Sequence, residues 1–149
     1  MSLKQELYTK CLDFVNQRLQ TVQETILSNQ KALQSETKSS AGDKHETGRA
    51  MLQLEMEKAG QQLQGIQLMK ETLARINPIQ TNTIASLGSI VYTSQATYFL
   101  SISAGQLVVE NKEYFAISIS SPIGKLLLGK KKDDIFTFKA KQIVFEKVV

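Results

Sequence analysis

The sequence has few of the residues on which catalytic and metal sites are usually built. It contains one histidine, one cysteine and no tryptophan. No group of residues has the spacing of a metal site, a phosphate-binding loop or a nucleotide-binding motif. A single cysteine, Cys11, excludes an internal disulfide, and we expect a buried apolar side chain there. These absences make the chain a poor candidate for a hydrolase.

Long apolar segments are also missing. No run approaches the roughly 20 residues of a membrane span, and the first residues lack the apolar core of a signal peptide. We therefore expect a cytoplasmic protein with no membrane partner. The hydrophobic content of 42% and the charged content of 21% are typical of soluble globular proteins. The net charge of +4 permits an acidic partner without requiring one.

Proline is absent before Pro78, and the composition changes near that residue. The preceding segment is rich in Gln, Glu, Lys and Leu, which favour helix, whereas the following one is rich in residues that suit strands. Asn77 is a favourable place for a helix to end, because proline disfavours the α conformation in the residue before it. The sequence predicts a helical domain over 1–77 and a β-rich domain over 78–149.

The helical part carries two series of mostly apolar residues whose spacings alternate between four and three, as in a coiled coil. The first series is Tyr8, Leu12, Val15, Leu19, Val22, Ile26, Asn29 and Leu33. The second series is Leu52, Met56, Ala59, Leu63, Ile66, Lys70 and Leu73. Each member of the first series from Leu12 to Leu33 can be paired with one of the second, beginning with Leu33 and Leu52 and ending with Leu12 and Leu73. The two residue numbers of every pair have the same sum. This symmetry predicts an antiparallel hairpin that folds back near 42–43.

A second apolar stripe lies near the start of the first helix. Its members are Leu3, Leu7, Cys11 and Phe14. Because a hairpin needs only one seam, the stripe indicates either that the base packs on the second domain or that side chains crowd around the one seam. Both interpretations stay open.

The second domain shows short segments typical of strands, so the fold class is α+β. The candidate strands are Ser89–Tyr92, Ala96–Ile102, Gln106–Val109, Ala116–Ser118, Ile135–Lys139 and Ile143–Lys147. One helix is predicted over 123–128, with Ser121 as its N-cap, Pro122 in its first turn and Gly129 after its end. The break at 140–142 predicts a hairpin turn, although it lacks an Asn-Gly signal.

Two carboxylates, Asp43 and Glu46, lie where the mirror symmetry predicts the apex of the hairpin. Their spacing is that of a capping box, and one interpretation is purely structural. Two carboxylates can also hold a hard cation such as magnesium if a second protein supplies the remaining oxygen ligands. The only histidine, His45, lies between them.

Two segments resemble the GreA/GreB family of transcript-cleavage factors. Residues 42–46, GDKHE, are similar to the family's G-D-x-x-E apex. Residues 117–134, ISISSPIGKLLLGKKKDD, are similar to its I-S-x-x-S-P-I-x-x-x-L-[IL]-G-K-x-x-[DG]-D segment. The second match is the more specific one. Order, lengths and total size also agree, so the resemblance covers essentially the whole chain.

The resemblance implies an FKBP-like second domain that docks at the rim of the secondary channel of RNA polymerase. The docking residues that it implies are Ser121, Pro122, Ile123, Gly129 and Lys130. The hairpin would enter the channel, where Asp43 and Glu46 would help hold a second magnesium ion beside the polymerase's own. Two-metal chemistry would then cleave backtracked nascent RNA. The protein would be a monomer without a cofactor of its own, and not an enzyme by itself.

The residues after the apex depart from the family pattern. The family continues with N-A-E-Y, whereas Thr47-Gly48-Arg49-Ala50 follow Glu46 here. Lys44, His45 and Arg49 add positive potential, which opposes cation capture. One alternative is therefore a secondary-channel regulator that binds polymerase but cleaves weakly or inhibits. A coiled-coil adaptor is another. An FKBP-like isomerase is disfavoured, because the second domain has no tryptophan and only scattered Tyr and Phe.

Overall fold

The computed structural model describes the side chains of residues 1–35 and 47–149, and the backbone of its first two helices to Lys38 and from Gly42. Two long helices precede a six-stranded sheet, which confirms the predicted α+β class. The chain forms two compact units. Val15–Met69 make up one, and Met1–Phe14 together with Lys70–Val149 make up the other. The domain boundary expected at 77–78 stays a prediction.

The two long helices are α1, Leu3–Lys38, and α2, Gly42–Ala74. A capping box starts α1: the Ser2 hydroxyl accepts from the Gln5 N–H at 3.2 Å, and the Gln5 side-chain oxygen accepts from the Ser2 N–H at 2.8 Å. The last turn of α2 tightens before the proline that stops it, because Arg75 N–H donates to the carbonyl three residues earlier. Over its described residues, no helix has a stretch both long and apolar enough to cross a membrane.

Within the unit Val15–Met69, burial follows the two predicted heptad series. The buried or half-buried members are Val15, Leu19, Val22, Ile26, Asn29, Leu33, Leu52, Met56, Ala59, Leu63 and Ile66. Four of the large apolar residues outside the series, Leu27, Met51, Leu54 and Leu68, are more than half exposed, whereas Met69 is half-buried. An amphipathic helix buries only the side chains of its seam, so this contrast confirms which face of each helix is shielded.

The hydrogen bond of Tyr8 shows how the helices run. Its hydroxyl donates to the Leu73 carbonyl at 3.0 Å. The start of α1 therefore lies beside the end of α2, which is the order of an antiparallel hairpin. Lys70, the one charged member of the series, is exposed.

The strands are β1 (Ile90–Thr93), β2 (Thr97–Ser101), β3 (Gly105–Val109), β4 (Lys112–Ser118), β5 (Ile135–Phe138) and β6 (Lys141–Val148). Their order in the sheet is β3-β4-β2-β1-β6-β5. Only β2 and β4 pair in parallel. A short helix, α3 (Pro122–Leu127), connects β4 to β5. The candidate strands of the sequence correspond to these elements within a few residues, and the predicted helix is confirmed.

The core of the sheet forms on the face that α3 covers. Its buried members are Ala85, Val91, Leu100, Leu127, Phe136, Ile143 and Phe145. The rings of Phe136 and Phe145 meet edge to face, with centroids 5.6 Å apart. Alternate residues of β5 and β6 therefore supply apolar side chains to one face. In the central strands consecutive residues such as Ile90 and Val91 are buried, so that part of the sheet is covered on both faces.

The second apolar stripe of α1 packs within the unit that contains the sheet. Leu7 and Cys11 are fully buried, and the Cys11 sulfur lies 3.6 Å from the Ser101 hydroxyl at the end of β2. Phe14 is half-buried. The start of α1 thus packs against β2, which answers the question that the sequence left open.

The turn between β5 and β6 corrects the sequence prediction. Phe138 and Lys141 are the last paired residues, so the turn consists of Lys139 and Ala140 and not of residues 140–142. Both turn residues have positive φ, 51° and 62°. A two-residue hairpin turn of this hand requires positive φ at both positions, which Asn-Gly normally supplies. Here Lys139 and Ala140 adopt this strained conformation. Neither is a residue that typically forms such a turn, so the turn could not be recognised from the sequence.

Replacing Ala140 by glycine should stabilise the protein by about 1 kcal/mol, because the left-handed conformation is unfavourable for residues with a Cβ and costs glycine nothing. Thermal unfolding followed by circular dichroism measures the effect. Ala96→Gly, in a turn residue without positive φ, is the matched control and should destabilise slightly. An Ala140→Gly variant that melts below the native protein would contradict the strained turn.

Asn29 is a polar residue in the seam of the hairpin. It is 6% exposed, and its side-chain nitrogen has no hydrogen-bond partner among the described residues. A buried amide without a partner costs roughly 1–3 kcal/mol. The residues around it are otherwise apolar seam members, so the position is suited to a leucine.

We expect Asn29→Leu to raise the free energy of unfolding by about 1–3 kcal/mol, since it removes the unpaired amide and buries more apolar surface. Denaturant unfolding followed at a helix-sensitive wavelength measures this change. The control is Gln30→Leu at the exposed neighbouring position, which should leave stability unchanged. Loss of stability in Asn29→Leu would mean that the amide is satisfied or that the seam cannot hold a leucine.

Candidate functional site

The predicted metal ligands, Asp43 and Glu46, lie outside the residues whose side chains the structure describes, as does His45. Their joint role therefore stays a prediction. Among the described residues there is no group of three His, Cys, Asp or Glu side chains that could hold a metal ion.

The five predicted docking residues lie around α3, and Ser121 fixes the start of this helix. Its hydroxyl accepts from the Gly124 N–H at 3.1 Å and donates to the Ser118 carbonyl at 2.6 Å. Pro122 follows at the first helical position, where its missing N–H costs no hydrogen bond. Ser121 and Pro122 therefore form the start of α3. The Ser121 hydroxyl is bonded to the backbone, and the Pro122 ring is exposed.

Gly124 holds α3 against the end of β4. A side chain there would collide with the Ser118 carbonyl oxygen. No L-residue with a Cβ fits without a shift of the backbone. The sequence comparison with the family did not single out Gly124, because that position is variable in the motif.

Gly129 and Lys130 fix the exit from α3. Gly129 has a φ of 81°, the left-handed conformation that commonly ends a helix. Its N–H donates to the Ala85 carbonyl at 2.8 Å, and the Lys130 carbonyl accepts from the Ala85 N–H at 2.8 Å. The Lys130 ammonium lies 5.6 Å from the centre of the Phe136 ring, within the range of a cation–π contact.

The segment therefore combines a fixed backbone with an accessible surface. Pro122 and Gly129 are exposed, Ile123 and Lys130 are half-buried, and Ile123 also packs against the core of the sheet. These residues offer apolar contact, backbone and one cation.

A cavity of about 360 Å³ lies at the start of α1, within the unit that contains the sheet, and its walls include Lys4, Ile90, Tyr92 and Lys147. No carboxylate or imidazole side chain lines it. Lys4 is 5% exposed, and its ammonium donates to the carbonyls of Gln80 at 2.7 Å and Val149. Burial lowers the pKa of Lys4. Because two backbone carbonyls accept from this ammonium, we assign Lys4 a structural role.

Cys11 is the one thiol of the chain and is not poised to react. Burial raises its pKa to about 11, although the Ser101 hydroxyl opposes the shift. A thiol with such a pKa stays protonated at neutral pH and is a poor nucleophile. The expectation of a buried apolar cysteine is confirmed.

No family model matches the chain, and a search of the curated proteins found no match. The resemblance to the GreA/GreB family consequently depends on the two motifs and on the order of the structural elements.

Sequence reasoning did not identify the burial of Lys4 or the role of Gly124. A signal for Lys4 was present, because Lys4 continues the stripe of Leu7, Cys11 and Phe14 at heptad spacing. No signal in the sequence indicated Gly124, since its constraint is the carbonyl of a residue on β4.

The Cys11 pKa predicts a loss of stability at high pH. Above the pKa of an ordinary thiol, about 8.5, the unfolded chain loses its proton while the folded protein keeps it. The native protein should therefore lose about 2 kcal/mol of stability, relative to Cys11→Ala, as the pH rises from about 8 to about 11. Denaturant titrations of both proteins at each pH measure this difference. A difference that does not change with pH would mean that the thiol titrates normally.

Proposed function

We propose that this chain is a Gre-type transcript-cleavage factor that binds RNA polymerase and stimulates cleavage of backtracked RNA. The observation that carries the proposal is the segment 117–134. Its resemblance to the family's docking segment extends over most of its length, and the matched Ser121, Pro122 and Gly129 each have a definite structural role in and around α3. A segment whose matched residues are structurally coherent is better support than a chance match of letters.

The architecture also supports the proposal. A six-stranded, mostly antiparallel sheet with one short helix on its face is compatible with an FKBP-like domain. It follows two helices of 36 and 33 residues, each about 50 Å long at 1.5 Å per residue. Helices of this length can carry side chains far from a docking surface.

In the proposed mechanism the factor supplies metal ligands, and the polymerase carries out the cleavage of the RNA. Asp43 and Glu46 supply carboxylate oxygens, the hard ligands that magnesium prefers. Two such ligands bind magnesium weakly, so we propose that the polymerase and the RNA supply the rest. The metal, when bound there, would activate water or stabilise the departing oxygen. The factor is therefore not an enzyme by itself, and it needs no cofactor in isolation.

A second candidate, a channel regulator that binds polymerase but cleaves weakly or inhibits, is supported by the charges at the tip. Lys44, His45 and Arg49 surround or follow the two carboxylates in sequence. Positive charges close to a carboxylate pair oppose the capture of a cation. This candidate shares the docking surface with the first one and differs from it only in the outcome at the active centre.

The test adds the purified protein to stalled, backtracked elongation complexes and follows RNA length. We expect the native protein to shorten the RNA, and Asp43→Asn or Glu46→Gln to lower the cleavage rate by at least about tenfold, since each removes one charged metal ligand. Glu55→Gln, an exposed position on α2, is the control for the loss of one charge and should cleave normally.

Competition of each variant with the native protein for polymerase measures binding separately. The carboxylate variants should compete as well as the native protein. Binding without cleavage by the native protein would favour the regulator. Absence of binding would exclude both candidates and leave the coiled-coil adaptor. Normal cleavage by both variants would mean that Asp43 and Glu46 act only as helix caps.

A further inference from the structure

Strand β5 forms one edge of the sheet and pairs only with β6. On β6, the Val144 N–H donates to the Ser94 hydroxyl and its carbonyl accepts from the Ser94 N–H, both at 3.0 Å. The backbone groups of Val144 therefore point away from β5. Ile135 is its partner in the register, so this is a non-hydrogen-bonded pair and the Ile135 N–H and carbonyl point away from β6. The same holds two residues later for Thr137.

Ile135 and Thr137 consequently present their backbone donors and acceptors to the open edge. No other described strand pairs with this side of β5. An edge of this kind is a template on which another extended chain can pair. With two outward-facing residues, the edge can exchange backbone hydrogen bonds with a short strand.

Positive charge surrounds this edge. Three lysines precede β5 at 130–132, and Lys139 and Lys141 follow its last residue. Two aspartates, Asp133 and Asp134, are the only acidic residues in the same stretch, and the Asp134 carboxylate already accepts from the Lys131 N–H at 2.8 Å. The surplus of lysines makes the edge electrostatically suited to an acidic segment.

Two of these ammonium groups are held at the strand by aromatic rings. Lys130 lies 5.6 Å from the centre of the Phe136 ring, and Lys139 lies 5.4 Å from that of Phe138. Phe136 and Phe138 are both on β5, two residues apart, so their side chains share one face of the strand. The cations are therefore located beside the edge on that face.

The opposite face of β5 is apolar and accessible. Ile135 is 57% exposed, and its cross-strand partner Val144 is 36% exposed. A strand added to β5 would place alternate side chains beside this pair and the intervening ones beside the lysines. The surface thus selects an alternating acidic and apolar sequence.

The other edge of the sheet has a different character. Strand β3 also ends the sheet, but the tip of its hairpin with β4 carries Glu110 and Glu113 with Lys112 between them. An acidic chain would find no surplus of positive charge there. The two edges can therefore be distinguished by the charge of the added peptide.

We propose that the open edge of β5 binds an extended, acidic segment of a partner protein by adding it as a further strand. The segment alternates acidic residues with apolar β-branched ones. Its backbone pairs with Ile135 and Thr137, its carboxylates face Lys130 and Lys139, and its apolar side chains cover Ile135. This site is separate from the chemistry at the hairpin apex and does not depend on the proposed cleavage function.

The probe is a fluorescein-labelled peptide of alternating aspartate and valine, and anisotropy of the full-length protein with this peptide measures binding. Thr137→Pro removes the outward N–H without touching a bond to β6, so it should weaken binding by at least about tenfold. Thr137→Val keeps that N–H and is the matched control, which should bind within about twofold of the native protein. A peptide of alternating lysine and valine should not bind.

A second measurement keeps the test valid if Thr137→Pro folds poorly. Amide hydrogen exchange of the native protein should slow at Ile135 and Thr137 when the acidic peptide is added, and stay unchanged at Gln106 and Val108 on β3. The charge contribution is tested by the double variant Lys139→Glu with Lys141→Glu, which should bind at least about tenfold more weakly.

Three outcomes would overturn the proposal. Equal binding by the native protein and a folded Thr137→Pro would mean that the lysines attract the peptide without strand addition. Absence of binding would mean that the lysines protect the edge strand against association and do not attract a partner. Self-association of the native protein without peptide, lost in Thr137→Pro, would make a second copy of the chain the occupant.

Discussion

Burial of the heptad seam is the constraint on which the helical part of this protein depends. Isolated helices gain little from propensity, and most of their stability comes from packing an amphipathic face. In the unit Val15–Met69 that face is the alternating series on α1 and α2, and most of the large apolar residues outside it are exposed. The same spacing predicts the register of the two helices, and the predicted register indicates where the chain folds back.

Among the described residues of this unit, Asn29 is the one buried polar member of the seam. A polar residue at such a position lowers stability but can specify one register over others. In a hairpin whose proposed function is to carry side chains at its apex, a slip of register would displace those side chains. We interpret the loss of stability caused by the buried Asn29 amide as the consequence of the need for a single register.

The unit that contains the sheet depends on side chains from both ends of the sequence. Lys4 from the start of α1 donates to the carbonyls of Gln80 and Val149, and Cys11 packs beside Ser101. A sheet of this size has a thin core, and residues of α1 add apolar burial to it. The segment around α3 is instead fixed by local bonds from Ser121 and by the steric demand of Gly124. The backbone of the proposed docking surface is therefore fixed within the domain itself.

The sequence predicted those features whose causes are local or periodic. The heptad series, the N-cap at Ser121 and the end of α3 at Gly129 were all predicted, because each follows from spacing or from a residue with a special backbone preference. The turn at Lys139-Ala140 was placed wrongly, because two unfavourable residues adopt positive φ there under the pairing of β5 with β6. The contact of Cys11 with Ser101 joins distant parts of the chain, so no local signal could specify it.

The two proposed surfaces offer different contacts and share Lys130. Residues around α3 offer fixed backbone and apolar contact for docking, and the edge of β5 offers unpaired backbone with positive charge. In the proposed function the catalytic contribution would come from neither surface, but from the carboxylates of Asp43 and Glu46 placed beside a polymerase. Function in this account depends on where the hairpin carries Asp43 and Glu46.

The most direct measurement of that claim is photo-crosslinking from the apex. A photoreactive amino acid replaces Lys44 in one protein and the exposed Gln61 of α2 in another. Both are bound to backtracked elongation complexes that contain labelled RNA. The account predicts that the probe at residue 44 labels the displaced RNA end and that the probe at residue 61 does not. Binding of both proteins with no RNA labelling from residue 44 would contradict delivery of the carboxylates to the active centre.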